Sequence, residues 1–569
     1  MRASRTLAVL LILLLGLVLL APIFSVVQAG LSEEGRLTFA WFRDVFADPL
    51  YREGIANSFY VAATTTALTL IIAIPLALIA DSYDFTGKKV VLLLLNAPLI
   101  LPPFVGAIGM KGMLSRNGGI NDLLVSWGWL DAGNTIDFLG SPFWACVIVE
   151  ALYLYPIAFL NAQAALANLD PTMVEAARDL GAGRLRTFFG VRLPLIRSGI
   201  FAGASIVFIW SFTELGTPLM VGFRRLTAVQ VFDELQTTAP QGDAYALVVV
   251  LLAISILVYT LSKLVFGRPV KTITPKAGAA KTVRRVAGLK ALVVSAPFLV
   301  VLVAATIPHV GVMLTSVSST GTVSLEPDDW TVKHHAAMLQ SAESGGEIRE
   351  LAVRSVANSA KYALAATAVD LILGFGIAWL VVRRRGRLTF VLDAMAMLPL
   401  AVPGLVLAFG YFALTQTDGW LSRFDPLQHD PTVLLVLAYS VRRLPFMVRS
   451  CAAGLEQLPE SMEEAAVDVG ASWRRTLSRI TLPLMAPSFL AGGVLVFSRS
   501  MLEVSDSLIL AFDRETYPMT KAIWSLASIP ASGMESASVL GCWGMVLLLV
   551  TFAIASKVLG KRLGGLFRL

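Results

Sequence analysis

The 569-residue chain is 56% hydrophobic and 15% charged, with a formal net charge of +7 and a mean hydropathy of +0.73. That is more apolar side chain than a soluble core holds, so the membrane is the natural solvent. The positive charge follows the topology of the predicted spans and gives a nucleic-acid partner no support.

In chain order, windows of about 20 mostly apolar residues fall near 5–29, 57–80, 89–112, 142–167, 199–222, 243–266, 289–314, 358–382, 388–412, 432–455, 488–511 and 536–558, twelve predicted spans. The first, within "MRASRTLAVLLILLLGLVLLAPIFSVVQAG", has the basic start and small-residue end of a signal peptide. Its apolar run is long enough to span, and its counterpart at 289–314 in the repeat described below cannot be a signal, so it is read as a retained span. Basic residues of short loops stay in the cytoplasm. Arg2 and Arg5, "GKK" at 87–89, Arg178 to Arg197, Arg268 to Lys290, "RRRGR" at 383–387, Arg474 to Arg479 and the tail after Lys557 all fall on one side. Both termini are therefore expected in the cytoplasm, with "LSEEGR" and "SLEPDDW" outside.

The three cysteines, Cys146, Cys451 and Cys542, lie far apart inside predicted spans and have no zinc or redox spacing. The pair His334 and His335 falls in the largest predicted outer loop, where a solvated surface is the simpler reading than a metal site. No metal site is assigned.

Between the spans the chain repeats itself. "TMVEAARDLGAGRLRTFFGVRLPLI" at 172–196 aligns without a gap on "SMEEAAVDVGASWRRTLSRITLPLM" at 461–485, with an offset of 464 − 175 = 289. The same offset pairs Pro156 with Pro445 and Glu214 with Glu503. Upstream the offset is 301, pairing "ANSFYVAATTTAL" with "ANSAKYALAATAV" and "LPPFVGAIG" with "VPGLVLAFG"; the first half thus carries 301 − 289 = 12 extra residues between about 113 and 141. A duplicated unit of six spans keeps both copies in one orientation, so the expected fold is all-α, two parallel six-helix repeats related by a pseudo-two-fold axis along the membrane normal. The first half is 1–266 with its loop at 168–197, the second 289–569 with its loop at 457–487, and 267–288 is a polar joint between them.

In each loop a Ser or Thr stands three residues before a Glu, Thr172 before Glu175 and Ser461 before Glu464, which predicts a helix opened by a capping box. Gly181 and Gly470, six residues past each Glu, suit the left-handed position that closes a helix. A second short helix then leads to Leu-Pro at the membrane boundary. The pairs Ala176–Ala177 and Ala465–Ala466 leave room for another surface to approach the backbone. One such loop reads equally well as an interfacial anchor, but two at matching positions suit the gripping of a dimeric partner.

The pattern Glu-Ala-Ala, three residues, Gly, nine residues, Ile, any residue, Leu-Pro resembles the cytoplasmic loop motif of permease subunits of bacterial ATP-binding cassette importers. The chain gives it twice, "EAARDLG" and "EAAVDVG" leading to "VRLP" and "ITLP", with Val191 in place of Ile the only departure. The resemblance covers both halves and is similar to the fused permeases of ferric-iron-type importers, a duplicated type I permease fold. It implies that Glu175, Ala176, Ala177, Gly181, Glu464, Ala465, Ala466 and Gly470 seat the loops in two copies of an ATPase subunit. It further implies a periplasmic or extracellular substrate-binding protein, a bacterial inner membrane as location, and ATP and Mg²⁺ used by the partner, with no cofactor in this chain. No G-x-x-x-x-G-K-[ST] loop occurs, and "ESGGEIRE" at 343–350 only superficially resembles an ATPase signature.

Carboxylates within spans are functional candidates by default, and Glu150, Glu214, Asp370, Glu503 and Asp506 qualify. Glu214 and Glu503 stand at one depth in the repeat, either lining the path or pinning neighbouring helices. Pro102 and Pro403, with Pro98, Pro103 and Pro399, fall mid-span, where a broken helix frees carbonyls that face protein or a wet cavity. The resemblance ranks ferric iron first as cargo; thiamine, polyamines, phosphonates and inorganic anions stay open, since the delivery protein sets most of the specificity. An ion-coupled secondary carrier also uses six plus six spans but needs no docking loops, and a membrane enzyme would need a clustered catalytic set that the sequence lacks.

Overall fold

A computed structural model describes residues 2–33, 35–100, 102–236, 242–266, 283–319, 323, 325, 327–339, 346–384, 386–416, 420–529 and 533–559. Most of the joint at 267–288 lies outside these residues, as do the tail beyond 559 and part of "ESGGEIRE". The first repeat supplies α1 (Ser4–Gly30), α2 (Pro49–Ser82), the bent pair α3 (Lys88–Leu99 and Pro103–Ser126), α4 (Pro142–Ala167), α5 (Pro171–Asp179), α6 (Leu185–Phe212), α7 (Gly216–Val221), α8 (Thr227–Leu235) and α9 (Gly242–Phe266). The second supplies α10 (Gly288–Val317), α11 (Gly346–Arg383), the bent pair α12 (Arg387–Leu400 and Gly404–Thr415), α13 (Thr432–Gln457), α14 (Glu460–Asp468), α15 (Trp473–Met501), α16 (Ser505–Leu510), α17 (Met519–Ala527) and α18 (Gly533–Leu559). Each element has its counterpart nine labels later. Among the described residues, extended pairing is confined to two two-residue ladders and one isolated bridge, Ser318 with Trp330.

Nine of these helices are long and apolar enough to cross a membrane, or eleven if each bent pair is one span. The sequence predicted twelve. The remaining window, 432–455, does form a helix of 26 residues, α13, but Arg442, Arg443 and Arg449 keep it less apolar than the rest. The bends in α3 and α12 measure 99° and 102°. They fall at Pro102 and Pro403, both extended at ψ 141° and 139°. Proline lacks the N–H that would continue the helix and bars helical geometry from the residue before it.

The described chain packs as two compact units that interleave the sequence halves. Among the described residues, one gathers those within Met1–Asp48, Val231–Leu252 and Lys333–Phe567; the other gathers those within Pro49–Gln230 and Ala253–Val332. The first helix of each repeat is thus grouped with the body of the other. In the second of these units α10 crosses α3 with backbones touching: a Cβ on Gly109 would sit 2.0 Å from the Pro308 carbonyl oxygen, and one on Gly311 would sit 2.1 Å from that of Gly109. In the first unit α1 crosses α12 likewise, a Cβ on Gly410 meeting the Pro22 carbonyl oxygen at 2.5 Å. Gly109 and Gly410 are repeat partners, and each faces the carbonyl of a proline, Pro308 or Pro22. Lipid tails are as apolar as leucine, so close backbone packing at small residues drives such association.

A second repeated device explains the "ANS" motif. Near the start of α2 the Ser58 hydroxyl accepts the Thr227 N–H at 2.9 Å, and Asn57 donates to the Arg225 carbonyl at 3.0 Å. In the other unit Ser359 accepts the Met519 N–H at 2.8 Å, and Asn358 donates to the Tyr517 carbonyl at 3.2 Å. Each pair satisfies free backbone groups at the entrance of a short helix, α8 or α17.

Candidate functional site

The two motif loops fold alike. α5 and α14 each run nine residues and stop at Gly181 and Gly470, whose φ values are +82° and +86°. The carbonyls that close them belong to the motif alanines. Leu180 N–H reaches the Ala176 oxygen at 3.1 Å and Ala182 N–H the Ala177 oxygen at 3.0 Å; Val469 and Ala471 do the same to Ala465 and Ala466 at 3.2 and 2.9 Å. The spacing from Glu-Ala-Ala to Gly is thus that of a helix closed by one left-handed residue, which glycine alone occupies without strain. Beyond it α6 and α15 each begin with a turn of α-helix, widen into a five-residue π-turn at Phe188–Arg192 and Leu477–Thr481, and pass Leu-Pro without a break.

The helix starts differ from the expected capping boxes. α5 opens two residues early, with Asp170 rather than Thr172 as its cap and Pro171 as its first residue, because Asp170 accepts both the N–H and the hydroxyl of Thr172, at 2.9 and 2.7 Å. Asp before Pro is a stronger start than Thr172 with Glu175, since the proline has no N–H to satisfy. These bonds hold the Asp170 carboxyl below the usual range. α14 opens at Glu460 after Pro459, with no side-chain cap. Glu175 and Glu464 are exposed, as are Ala176 and Ala465; Ala177 is half-buried and Ala466 buried. Each tip also holds apolar groups out, Leu180 at 88% and Val469 at 85% exposure, with Leu185 and Trp473 beside them. Each loop thus presents an exposed apolar tip beside an acidic shoulder.

At the far ends of α6 and α15 the candidate carboxylates share one local role and then diverge. Glu214 accepts the Thr217 N–H at 3.3 Å and its hydroxyl at 3.4 Å, while Glu503 accepts the Asp506 N–H at 3.5 Å. Each therefore caps the short helix, α7 or α16, that follows the break in its span. Glu503 is also engaged by Arg442 and Arg443, and Asp506 by Arg442 at 3.0 Å and Arg443 at 3.9 Å. The repeat partners of the two arginines are Tyr153 and Leu154, so the first half carries no cation at these two positions.

The Arg442 guanidinium lies over Gly404, where a Cβ would meet its central carbon at 2.1 Å. It thereby joins the break at Pro403 to Glu503. In the other unit α7, which follows Glu214, packs against α3, which is broken at Pro102. Glu214 and Glu503 belong to different compact units. The arginines were missed although "YSVRRLPF" sets two cations in an apolar window; the rule that picks out carboxylates in spans applies equally to them.

Two more buried acids are each hydrogen-bonded to a serine on a neighbouring helix. Glu150 on α4 takes a hydrogen bond from Ser211, and Asp370 on α11, the counterpart of α2, takes one from Ser440. Near α16, Lys521 is 2% exposed, donates to the Leu508 carbonyl at 2.9 Å and lies among the rings of Phe232, Phe512, Tyr517 and Trp524, 5.0–5.9 Å from their centres. Among the described residues no group of three or more His, Cys, Asp or Glu side chains could hold a metal ion.

Comparison with known proteins matches the geometry to a family. The family model described as "Binding-protein-dependent transport system inner membrane component" matches twice, over residues 73–269 and 370–565. The ferric transport system permease protein FbpB of Actinobacillus pleuropneumoniae is 28% identical over 510 residues, covering 88% of this chain and 70% of that one. The Fe(3+)-transport system permease protein FbpB 2 of Haemophilus influenzae is 24% identical over 91% of this chain and 92% of its own length. The spermidine/putrescine permease PotB of Escherichia coli is 32% identical over 163 residues, 28% of this chain and 58% of that protein. Two matches, one per repeat and each containing its glycine-closed loop, make this chain a member of the family of inner membrane components of binding-protein-dependent transport systems, a fused permease carrying both halves in one polypeptide.

Proposed function

We propose that the chain forms the translocation path of a ferric-iron importer of the ATP-binding cassette type. The observation that carries the cargo is that relatives named for ferric transport match across both repeats, whereas the polyamine permease matches over 28% of the chain. In this reading the two loops, through Glu175, Ala176, Ala177 and Gly181 and through Glu464, Ala465, Ala466 and Gly470, seat in two copies of an ATPase that consumes ATP and Mg²⁺. A binding protein delivers cargo from the opposite side, both termini are cytoplasmic, and 1–266 and 289–569 each act as one permease half. Glu214, Glu503, Pro102 and Pro403 line the path.

The test is reconstitution with the ATPase and candidate binding proteins, reading which loaded protein stimulates ATP hydrolysis. Stimulation by a ferric-loaded protein is expected. Stimulation only by a polyamine-, anion- or sugar-loaded protein overturns the cargo and leaves the permease assignment standing. A polyamine is the second reading, favoured by the 32% identity to PotB over 163 residues.

A further inference from the structure

The two loops are alike in backbone and unlike in how they are fastened. At the end of α11 the Arg383 Nε donates to Glu463 Oε2 at 3.1 Å, and its Nη2 donates to the Leu458 carbonyl at 2.9 Å. The other oxygen of Glu463 accepts the Thr481 hydroxyl at 2.7 Å. The arginine and glutamate side chains are 8% and 17% exposed. One carboxylate on α14 thus bridges the end of one span and the π-turn that opens the next. One turn earlier on α11, Trp379 meets Trp473 edge to face at 6.5 Å and carries the Arg384 guanidinium over its ring at 5.7 Å. The last turn of α11 therefore holds both limbs of the second loop.

The repeat supplies the control. The counterparts of Arg383, Glu463, Thr481 and Trp379 are Ser82, Val174, Arg192 and Leu78. There Val174 is buried by apolar packing, and Arg192 donates to the Ser82 hydroxyl at 3.4 Å. In the first half Arg192, attracted also by Asp81, ties its π-turn to the end of α2 without passing through α5, whose Val174 contributes apolar packing; a displacement of α14, by contrast, must break a mostly buried, charge-assisted pair with directional bonds on both carboxylate oxygens of its own Glu463.

We propose that Arg383, Glu463 and Thr481 form the strut through which movement of the second loop reaches the spans, so that the second loop drives the transport cycle and the first follows. These are positioning residues, and the proposal rests on the reading of both loops as ATPase-coupling elements.

The experiment uses the full chain with its ATPase and loaded binding protein in proteoliposomes. Thr481→Val removes one arm of the strut at constant shape, Thr481→Ser restores the hydroxyl, and Glu463→Gln and Arg383→Gln weaken the ion pair. ATPase co-purification and basal hydrolysis are expected to persist in Thr481→Val, while stimulation by loaded binding protein falls about fivefold or more, the lower range of coupling between sites. Thr481→Ser is expected to behave as wild type, and Arg192→Gln or Ser82→Ala in the first half to change stimulation less than about twofold. Full stimulation in both Thr481→Val and Glu463→Gln, or equal losses in the two halves, overturns the strut. Glu464→Arg separates the two readings: if it leaves ATPase attachment intact the coupling reading itself fails, and if it abolishes attachment while the strut variants act as wild type only the strut fails.

Discussion

Glu503 and Glu214 occupy one position in the repeat and are expected to respond differently to the same change. Glu503→Gln takes from Arg442 and Arg443 one of the two acids they pair with and leaves Asp506, and breaking a buried ion network by removing one partner costs about 3–5 kcal/mol. Glu214→Gln keeps an amide oxygen that can still accept from Thr217, so it should cost less than about 1 kcal/mol. Thermal unfolding of the purified variants in detergent reads the difference, and equal shifts would show that the arginines do not depend on Glu503. Lys521 carries a pH signature of its own. Burial pushes its ammonium down to about 8 from 10.5, so between these values the unfolded chain binds more protons than the folded one. Stability from this group therefore rises with pH through that window and is lowest below it, by on the order of 3 kcal/mol. Melting of wild type against Lys521→Met from pH 7.5 to 10.5 should show wild type gaining on the variant as pH rises; a gap independent of pH would mean that the enclosed lysine is not shifted.

Among the elements, what was legible in the sequence is what depends on neighbours along the chain. The left-handed Gly181 and Gly470, the proline breaks and eleven of the twelve windows follow from local chemistry, and each is found in its place. The capping boxes were misread because Thr172 and Glu175 fit a motif that Asp170 and Pro171 pre-empt, and in the other copy Pro459 and Glu460 begin the helix before Ser461. The partners of Arg442, and the crossing of Gly109 with Gly311, were not legible, since no periodicity tells which distant helix a residue will touch. The crossings make a sharp prediction. With backbones already in contact, Gly109→Val and Gly410→Val must push α10 off α3 or α1 off α12, costing at least the ~1–3 kcal/mol of an overpacked core. Gly493, whose Cβ would meet nothing nearer than 3.7 Å, should accept alanine. Size-exclusion profiles of the three variants test this, and a monodisperse Gly109→Val protein at wild-type yield would remove the crossing from the account.

At the scale of the whole chain, the interleaved units bear on what the fusion does. Each compact unit takes its first helix from the other repeat: α10 is grouped with α2 to α7, and α1 with α11 to α18. A half expressed alone, residues 1–266, would hold α1 without α12, leaving the Gly410 and Pro22 crossing unmade and the Val18 carbonyl, which accepts the Tyr411 hydroxyl at 2.6 Å, without its donor. Residues 289–569 alone would hold α10 without the Gly109 contact. Neither half is therefore expected to accumulate in the membrane by itself. Chains cut within 267–282 and co-expressed are expected to assemble, because the joint needs only to keep the halves at high local concentration, an advantage that abundant separate chains can replace. Membrane yield of each half, and native mass spectrometry of the co-expressed pair with the ATPase, would read the result. One copy of each half per two ATPase subunits is the expected composition, and a stable, monodisperse first half on its own would show that the exchanged helices are dispensable to the fold.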